Sequence, residues 1–387
     1  MSQPANSTVA AAGPRHIPAL DGLRALAILL VIPHNTYMFA AIKGWLIPFA
    51  WLANAGWVGV QLFFVLSGFL ITRNLLDSRG SDNYYSAFFG RRILRIFPLY
   101  FLVLIFFLIL LPAMVNLGPN ILGSYSNQVW LWLFLSNWAA PYGHEVYWFP
   151  HFWSLAVEEQ FYFIWPAIIA LTPTRRMVAV CTTLMVAALV IRIVLLRAGV
   201  APEAIYMFTV CRMDALAVGA LVAILAGMPA FMAQVRRHAT ALLVAAVVVM
   251  MAGVPLTESY SDLNSGSLTE GQSMLALGMA AVVLAMAAGS RNFIPGALDA
   301  VLRLAPLRSV GKVSYAMYIF HLPIATGLIA PYVLPSLKKL GDGFPVWYGL
   351  VNMVCSYLLA LVSWHLFEKY FLRAKRFFVP HHSESRA

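Results

Sequence analysis

Charge is scarce in this chain. Of its 387 residues only 11% are Asp, Glu, Lys or Arg, against about 25% in a soluble domain. So few charges cannot clothe a water-facing surface of this size. Cysteine is scarcer still. Cys181, Cys211 and Cys355 stand far apart inside apolar runs, which excludes a disulfide framework and a spaced set of metal ligands. Each is expected to be small apolar filler. Neither a repeat of 20–50 residues nor a low-complexity tract occurs. The longest loop, roughly 112–150, is too short and too apolar for a soluble domain. No basic stretch precedes the first apolar run. That run exceeds a signal-peptide core and carries no convincing cleavage site, so it is expected to be retained.

What fills the chain is apolar: 61% of residues are hydrophobic, and the mean hydropathy is +0.79. Windows of about 20 apolar residues recur along the length, each able to cross a bilayer as a helix. The pattern predicts an all-α, polytopic membrane helix bundle of about ten spans, near 19–42, 53–74, 97–117, 151–171, 177–196, 205–227, 240–256, 273–289, 311–333 and 346–368. Residues 1–16 read as a short cytoplasmic segment, 17–372 as the membrane domain, and 373–387 as a disordered cytoplasmic tail.

The net charge of +11 would suit a polyanionic partner were it evenly spread. It is not. With the N-terminus inside, the inner segments collect Arg15, Arg73, Arg79, Arg91, Arg92, Arg95, Arg175, Arg176, Arg236, Arg237 and most later cations, while only Lys43, Arg197, Lys338 and Lys339 fall outside. This is the positive-inside asymmetry; it puts both termini in the cytoplasm and argues against nucleic acid as a partner. The stretch 127–140, "NQVWLWLFLSNWAA", is expected as an external amphipathic or re-entrant piece, because a span there would reverse every later orientation.

The informative residues are those a span normally excludes. An ionisable group within a span costs a few kcal/mol and therefore faces a partner or a wet cavity. Arg24, His34, Glu158, Glu159, Arg192, Arg212, Asp214, His321 and His365 fit that description, with Arg192 and His365 near span ends where snorkelling suffices. In "FFGRRILRIFPLY", Arg92 and Arg95 are three apart and share a helical face. Such a pair suits phosphate through bidentate bonds, or equally anionic lipid headgroups. In "PHFWSLAVEEQFYFIWP", adjacent Glu158 and Glu159 point about 100° apart, so only one can face a given partner squarely. Either serves chemistry or pairs structurally with Arg24 or Arg212. Arg212 and Asp214 are two apart and so pair across the bundle, and Gly219 after them admits a close neighbour. Tyr315 and Tyr318 share a face, with His321 three beyond Tyr318, either packed or catalytic. No metal site is expected.

Together these stretches resemble the integral-membrane acyltransferase-3 family, whose bacterial members O-acylate surface polysaccharides, lipopolysaccharide and macrolides. "LDGLRALAILLVIPHN" (residues 20–35), "GVQLFFVLSGFLITRNLL" with "RRILRIFPLY", "FWSLAVEEQFYFIWP" and "CRMDALAVGALVA" carry the likeness, and "VSYAMYIFHLP" is a looser fifth. The resemblance implies a multi-pass enzyme of the bacterial inner membrane, without the extracellular hydrolase-like domain of some members. It implies transfer of an acyl group, acetyl above all, from acyl-CoA to a hydroxyl of a cell-surface carbohydrate, glycolipid or related glycan. It implies His34 as catalytic histidine with Arg24 as its motif partner, Arg92 and Arg95 at the acyl-CoA donor, and Glu158 and Glu159 as the acidic pair. Arg212, Asp214, Tyr318 and His321 would form a supporting polar network. Acyl-CoA is then a co-substrate, with no bound cofactor. Direct transfer and a covalent acyl-histidine both remain open.

Two points stay open. The family places ten residues between the arginine and the histidine, and here there are nine. At 100° per residue the ten-step offset leaves His34 about 80° from the Arg24 face, so Pro33 is expected to kink or tighten the turn at 29–33. The competing function is a transporter of a polar solute with intramembrane His, Arg and Glu as a proton relay, although inverted or parallel repeats are not evident. A scaffold for polysaccharide-assembly enzymes is a weaker third.

Overall fold

The computed structural model describes residues 16–36, 47–256 and 263–381. Among them there is no strand. The main helices are α1 (Pro18–Asn35), α2 (Val58–Asp77), α3 (Tyr84–Ile105), α4 (Trp153–Leu171), α5 (Thr174–Arg197), α6 (Thr209–Ala226), α7 (Ala239–Leu256), α8 (Gln272–Ala288), α9 (Ser314–Ile324) and α10 (Phe344–Ser363). Several run on through short π or 3₁₀ turns, α9 through Ala325–Val333 for example. Seven of the described helices are long and apolar enough to cross a membrane, and an eighth counts if Pro229–Arg237 and Ala239–Gly253, bent by 78°, form one span. The protein is a multi-pass membrane bundle. The long helices that fall short of that apolarity are α1 and α4, which carry Arg24 and the glutamate pair. The outer end of the first expected span, with Lys43, lies outside the described residues.

At the centre stands α2, packed against α1, α4, α6 and α8. Its seam with α6 is made by reciprocal glycines. A Cβ on Gly68 would fall 2.0 Å from the Leu216 carbonyl oxygen, and one on Gly219 2.1 Å from that of Val65. Small residues let the backbones touch, and in lipid this close packing replaces the hydrophobic drive available in water.

The bundle also buries charge. Arg192 is fully buried rather than snorkelling, and its guanidinium meets Asp214 at 2.8 Å. Ser273 joins both, accepting from Arg192 (2.6 Å) and donating to Asp214 (2.8 Å). Arg212 turns the other way, donating to Gln61 Oε1 (2.7 Å) beneath the rings of Tyr206, Phe64 and Trp153. Both members of the Arg212/Asp214 motif thus find partners across the bundle, Arg212 on α2 and Asp214 on α5 and α8.

Stretch 127–140 is a chain of single turns, Val129–Trp132, Ser136–Ala139 and Ala140–Tyr142. Phe134 breaks it with a left-handed backbone (φ 52°) and stacks on Tyr100 at 4.4 Å. The expected tail also begins as structure. Ala374–Phe378 forms a 3₁₀ turn whose Phe378 ring occupies the notch at Gly90, and Asp82 N donates to His381 O (3.0 Å). An aromatic side chain seated on a side-chain-free position is what orders it; residues 382–387 lie outside the described part.

Removing one member of a buried ion pair strands its partner, at a cost of about 3–5 kcal/mol. Arg192→Met is expected to lower stability by that amount in SDS-titration unfolding, and adding Asp214→Asn to restore most of it. A double variant as unstable as the single would show that the charge pair is not the source.

Candidate active site

Five helices aim side chains into one cavity of about 720 Å³ of atom-free space, counting its open mouth. Each contributes at helical spacing. α1 supplies Arg24; α2 supplies Val60, Phe63, Phe64 and Ser67; α3 supplies Arg92, Arg95 and Ile96. α4 gives Ser154, Leu155, Glu158, Glu159 and Tyr162, and α9 gives Ser314, Tyr315 and Tyr318. The i, i+3 and i, i+4 steps explain why these residues share faces. Three arginines and two glutamates therefore converge from three helices.

The glutamates are not neutralised by direct pairing. Glu158 accepts from Ser67 Oγ at 2.6 Å. Among the described residues no ion pair ties either glutamate to Arg24, Arg92, Arg95 or Arg212. Arg92 instead lies 4.0 Å over the Tyr162 ring centroid, a cation–π contact that holds the guanidinium and leaves its charge available. Tyr315 donates to the Ile96 carbonyl (2.9 Å), tying α9 to α3 beside Arg95. On the opposite wall the hydroxyls of Tyr318 and Ser154 lie 2.6 Å apart, and Tyr318 donates to the His151 carbonyl (2.8 Å).

His34 is not a wall of this cavity. Helix α1 is α-helical without interruption from Pro18 to Asn35, so the tightened turn expected at 29–33 is absent. The reason lies in position: the helix ends two residues beyond Pro33, and Thr36 caps the Pro33 carbonyl through Oγ1 (2.6 Å). With ordinary pitch, His34 lies about 15 Å along the axis from Arg24 and on another face. Its Nδ1 lies 3.2 Å from the Ala53 carbonyl oxygen, to which it donates. The eleventh residue after Arg24 is Asn35, and that residue shares the Arg24 face to within about 20°. Asn35 Nδ2 reaches His321 Nε2 at 2.9 Å, while His321 Nδ1 donates to the Tyr318 carbonyl (2.6 Å). A carbonyl can only accept, so the proton sits on Nδ1 and the Nε2 lone pair faces the Asn35 amide. The His321 ring lies 4.6 Å from the His151 ring.

Of the residues singled out from sequence, Arg24, Arg92, Arg95, Glu158, Glu159 and Tyr318 come together in the cavity. His321 backs its wall; Arg212, Asp214 and His34 stand elsewhere. Sequence reading passed over Ser67 and Asn35, and it placed Tyr162 and His151 beside the glutamate pair without giving either a role. The i+4 step from Glu158 pointed to Tyr162, and the eleven-residue step from Arg24 pointed to Asn35. Nothing local marked Ser67.

An all-helical membrane bundle with a charged cavity of this composition defines a class, and comparison with known proteins agrees with it. A family profile described as an acyltransferase domain matches residues 17–365, and the chain belongs to this acyltransferase-3 family. It is 30% identical over 381 residues to YrhL of Bacillus subtilis, provisionally named a peptidoglycan O-acetyltransferase. It is 26% identical over 372 residues to the peptidoglycan O-acetyltransferase OatA of Listeria monocytogenes, and 26% over 376 to the O-acetyltransferase OatA of Staphylococcus aureus. Each alignment takes in 92% of this chain but only 55–57% of the relative, so the chain spans about half the length of these proteins. No solved structure matches it.

Deleting the donor to a buried carboxylate costs about 1–3 kcal/mol. Ser67→Ala is expected to lower stability by that amount in the same unfolding assay, and Ser67→Thr to retain most of it. Equal losses in the two variants would assign the effect to packing.

Proposed function

We propose that the protein is a membrane O-acyltransferase that moves an acyl group, acetyl in the first instance, from acyl-CoA to a hydroxyl of a cell-surface glycan. The observation that carries this is the convergence of Arg24, Arg92 and Arg95 on one buried cavity with Glu158 and Glu159 free of direct ion pairs. Unneutralised arginines suit the phosphates of coenzyme A. Family membership supports acyl transfer over solute transport, and the names of the relatives favour peptidoglycan as the acceptor class. The bacterial inner membrane is where a cytoplasmic donor and a surface glycan can meet.

In this reading the acceptor oxygen attacks the thioester carbonyl, the C–O bond forms, the C–S bond breaks, and the coenzyme A thiolate leaves. A sugar hydroxyl is a poor nucleophile, so a base must take its proton. In this reading Glu159 takes that role, supported by its lining the cavity without a hydrogen-bond partner among the described residues. Resemblance instead gives the proton to His34, and the two assignments separate by experiment.

The test is transfer from radiolabelled acetyl-CoA by purified protein in nanodiscs. Arg95→Gln is expected to raise KM for acetyl-CoA about 10- to 100-fold, the loss of one charged hydrogen bond. Glu159→Gln is expected to lower kcat about 10²- to 10⁴-fold, with His34→Ala retaining kcat. Loss of turnover in His34→Ala with Glu159→Gln unaffected would return the base to the histidine. A wild-type protein that releases no coenzyme A would end the acyltransferase reading.

A further inference from the structure

A second hollow meets the cavity from the side. It is a groove of about 1490 Å³ of atom-free space, open to the outside, between α3, α4, α6 and the turns at 133–138. Its mouth is apolar and uncovered: Phe163 is 76% exposed, Leu133 60%, Ile164 51% and Ile93 44%. α3 and the helix that ends in α6 are among the helices apolar enough to cross a membrane, so these exposed side chains face lipid. The inner end of the groove is not apolar. Arg92, Glu159 and Tyr162 line it, and the same three residues line the charged cavity. Their side chains form a partition shared by the two spaces.

An ordinary lipid chain does not suit this shape. Pushed to the inner end, it would set hydrocarbon against a carboxylate and a guanidinium and leave both unsatisfied, which is costly at membrane depth. The acyl group of the donor does not suit it either, since the relatives are named for acetyl, a two-carbon unit. What matches both ends is an amphiphile entering head first, with hydroxyls at Glu159 and Arg92 and a hydrocarbon tail leading back to the bilayer.

Building on the O-acyltransferase reading above, we propose that the groove is the lateral entrance for a lipid-linked glycan acceptor, its tail in the groove and its sugar hydroxyl delivered to Glu159. Donor and acceptor then reach the same partition from opposite sides. The donor comes through the arginine-lined cavity and the acceptor through the membrane, and Glu159 touches both.

The test compares octyl and methyl β-N-acetylglucosaminide as acceptors for protein reconstituted in phosphatidylcholine vesicles with radiolabelled acetyl-CoA. The octyl glycoside is expected to be preferred in kcat/KM by at least about tenfold, reflecting burial of its extra methylenes. Val210→Trp, which fills the groove at a position outside the partition, is expected to erase that preference while leaving the methyl glycoside and acceptor-free acetyl-CoA hydrolysis unchanged. Equal use of the two glycosides by the wild type, or a preference that survives Val210→Trp, would overturn the proposal. A readout independent of turnover uses an alkyl diazirine on the same sugar. It should label the groove walls of α3 and α6, more weakly in Val210→Trp, and more strongly than the same tail on phosphocholine. Labelling that ignores the headgroup would identify the groove as a site for bulk lipid only. Absence of coenzyme A release with head-dependent labelling intact would sink the acyltransferase reading and leave the glycolipid site standing.

Discussion

Every polar group inside a membrane bundle must find its partner within the protein, because lipid offers none. That constraint divides the buried charges of this protein into two kinds. Arg192 and Asp214 satisfy each other, with Ser273 and backbone carbonyls completing the set. Arg212 donates one hydrogen bond to Gln61 and lies within an aromatic box. These groups hold α2, α5, α6 and α8 in register. Arg24, Arg92, Arg95, Glu158 and Glu159 form the other kind. They surround an open space, and their partners are a hydroxyl and the face of a ring, which leave net charge exposed to whatever enters.

The two kinds depend on each other. A wall of unpaired charge stands only if the helices that carry it cannot shift to neutralise it. The glycine seam between α2 and α6 fixes the Ser67 and Phe64 side of the cavity to a backbone-to-backbone contact. Tyr315 ties α9 to α3, and Tyr318 ties α9 to the start of α4. Arg92 is kept over Tyr162, a geometry that restrains a guanidinium without cancelling it. The rigid frame therefore stores the electrostatic asymmetry on which donor binding and proton removal would draw.

The first helix shows how spacing and geometry interact. Nine residues separate Arg24 from His34, and a tightened turn would have been needed to align them. The proline that could have caused one sits too near the helix end to change the pitch, so Asn35 takes the aligned position. His34 faces the backbone at Ala53 instead. The acidic pair is the parallel case on α4. Neighbours on a helix diverge, and here Glu158 turns to Ser67 while Glu159 joins the partition with the groove.

Much was determined by sequence alone: the helical membrane bundle, because apolar runs of this length have no other stable form in lipid, and the family, because its motifs follow in order. Sequence also marked most of the cavity, since an arginine or glutamate in a greasy helix is too costly to be idle. It named Arg24, Arg92, Arg95, Glu158, Glu159 and Tyr318, and it foresaw cross-bundle partners for Arg212 and Asp214. Tertiary structure alone decided the rest: that Arg192 rather than a glutamate's arginine is buried as a pair, that Ser67 holds Glu158, that His34 stands apart, and that an apolar groove meets the cavity at Glu159. Helical periodicity gives the face on which a side chain lies, but not the angle at which that face meets its neighbours. Only close packing of the helices sets that angle.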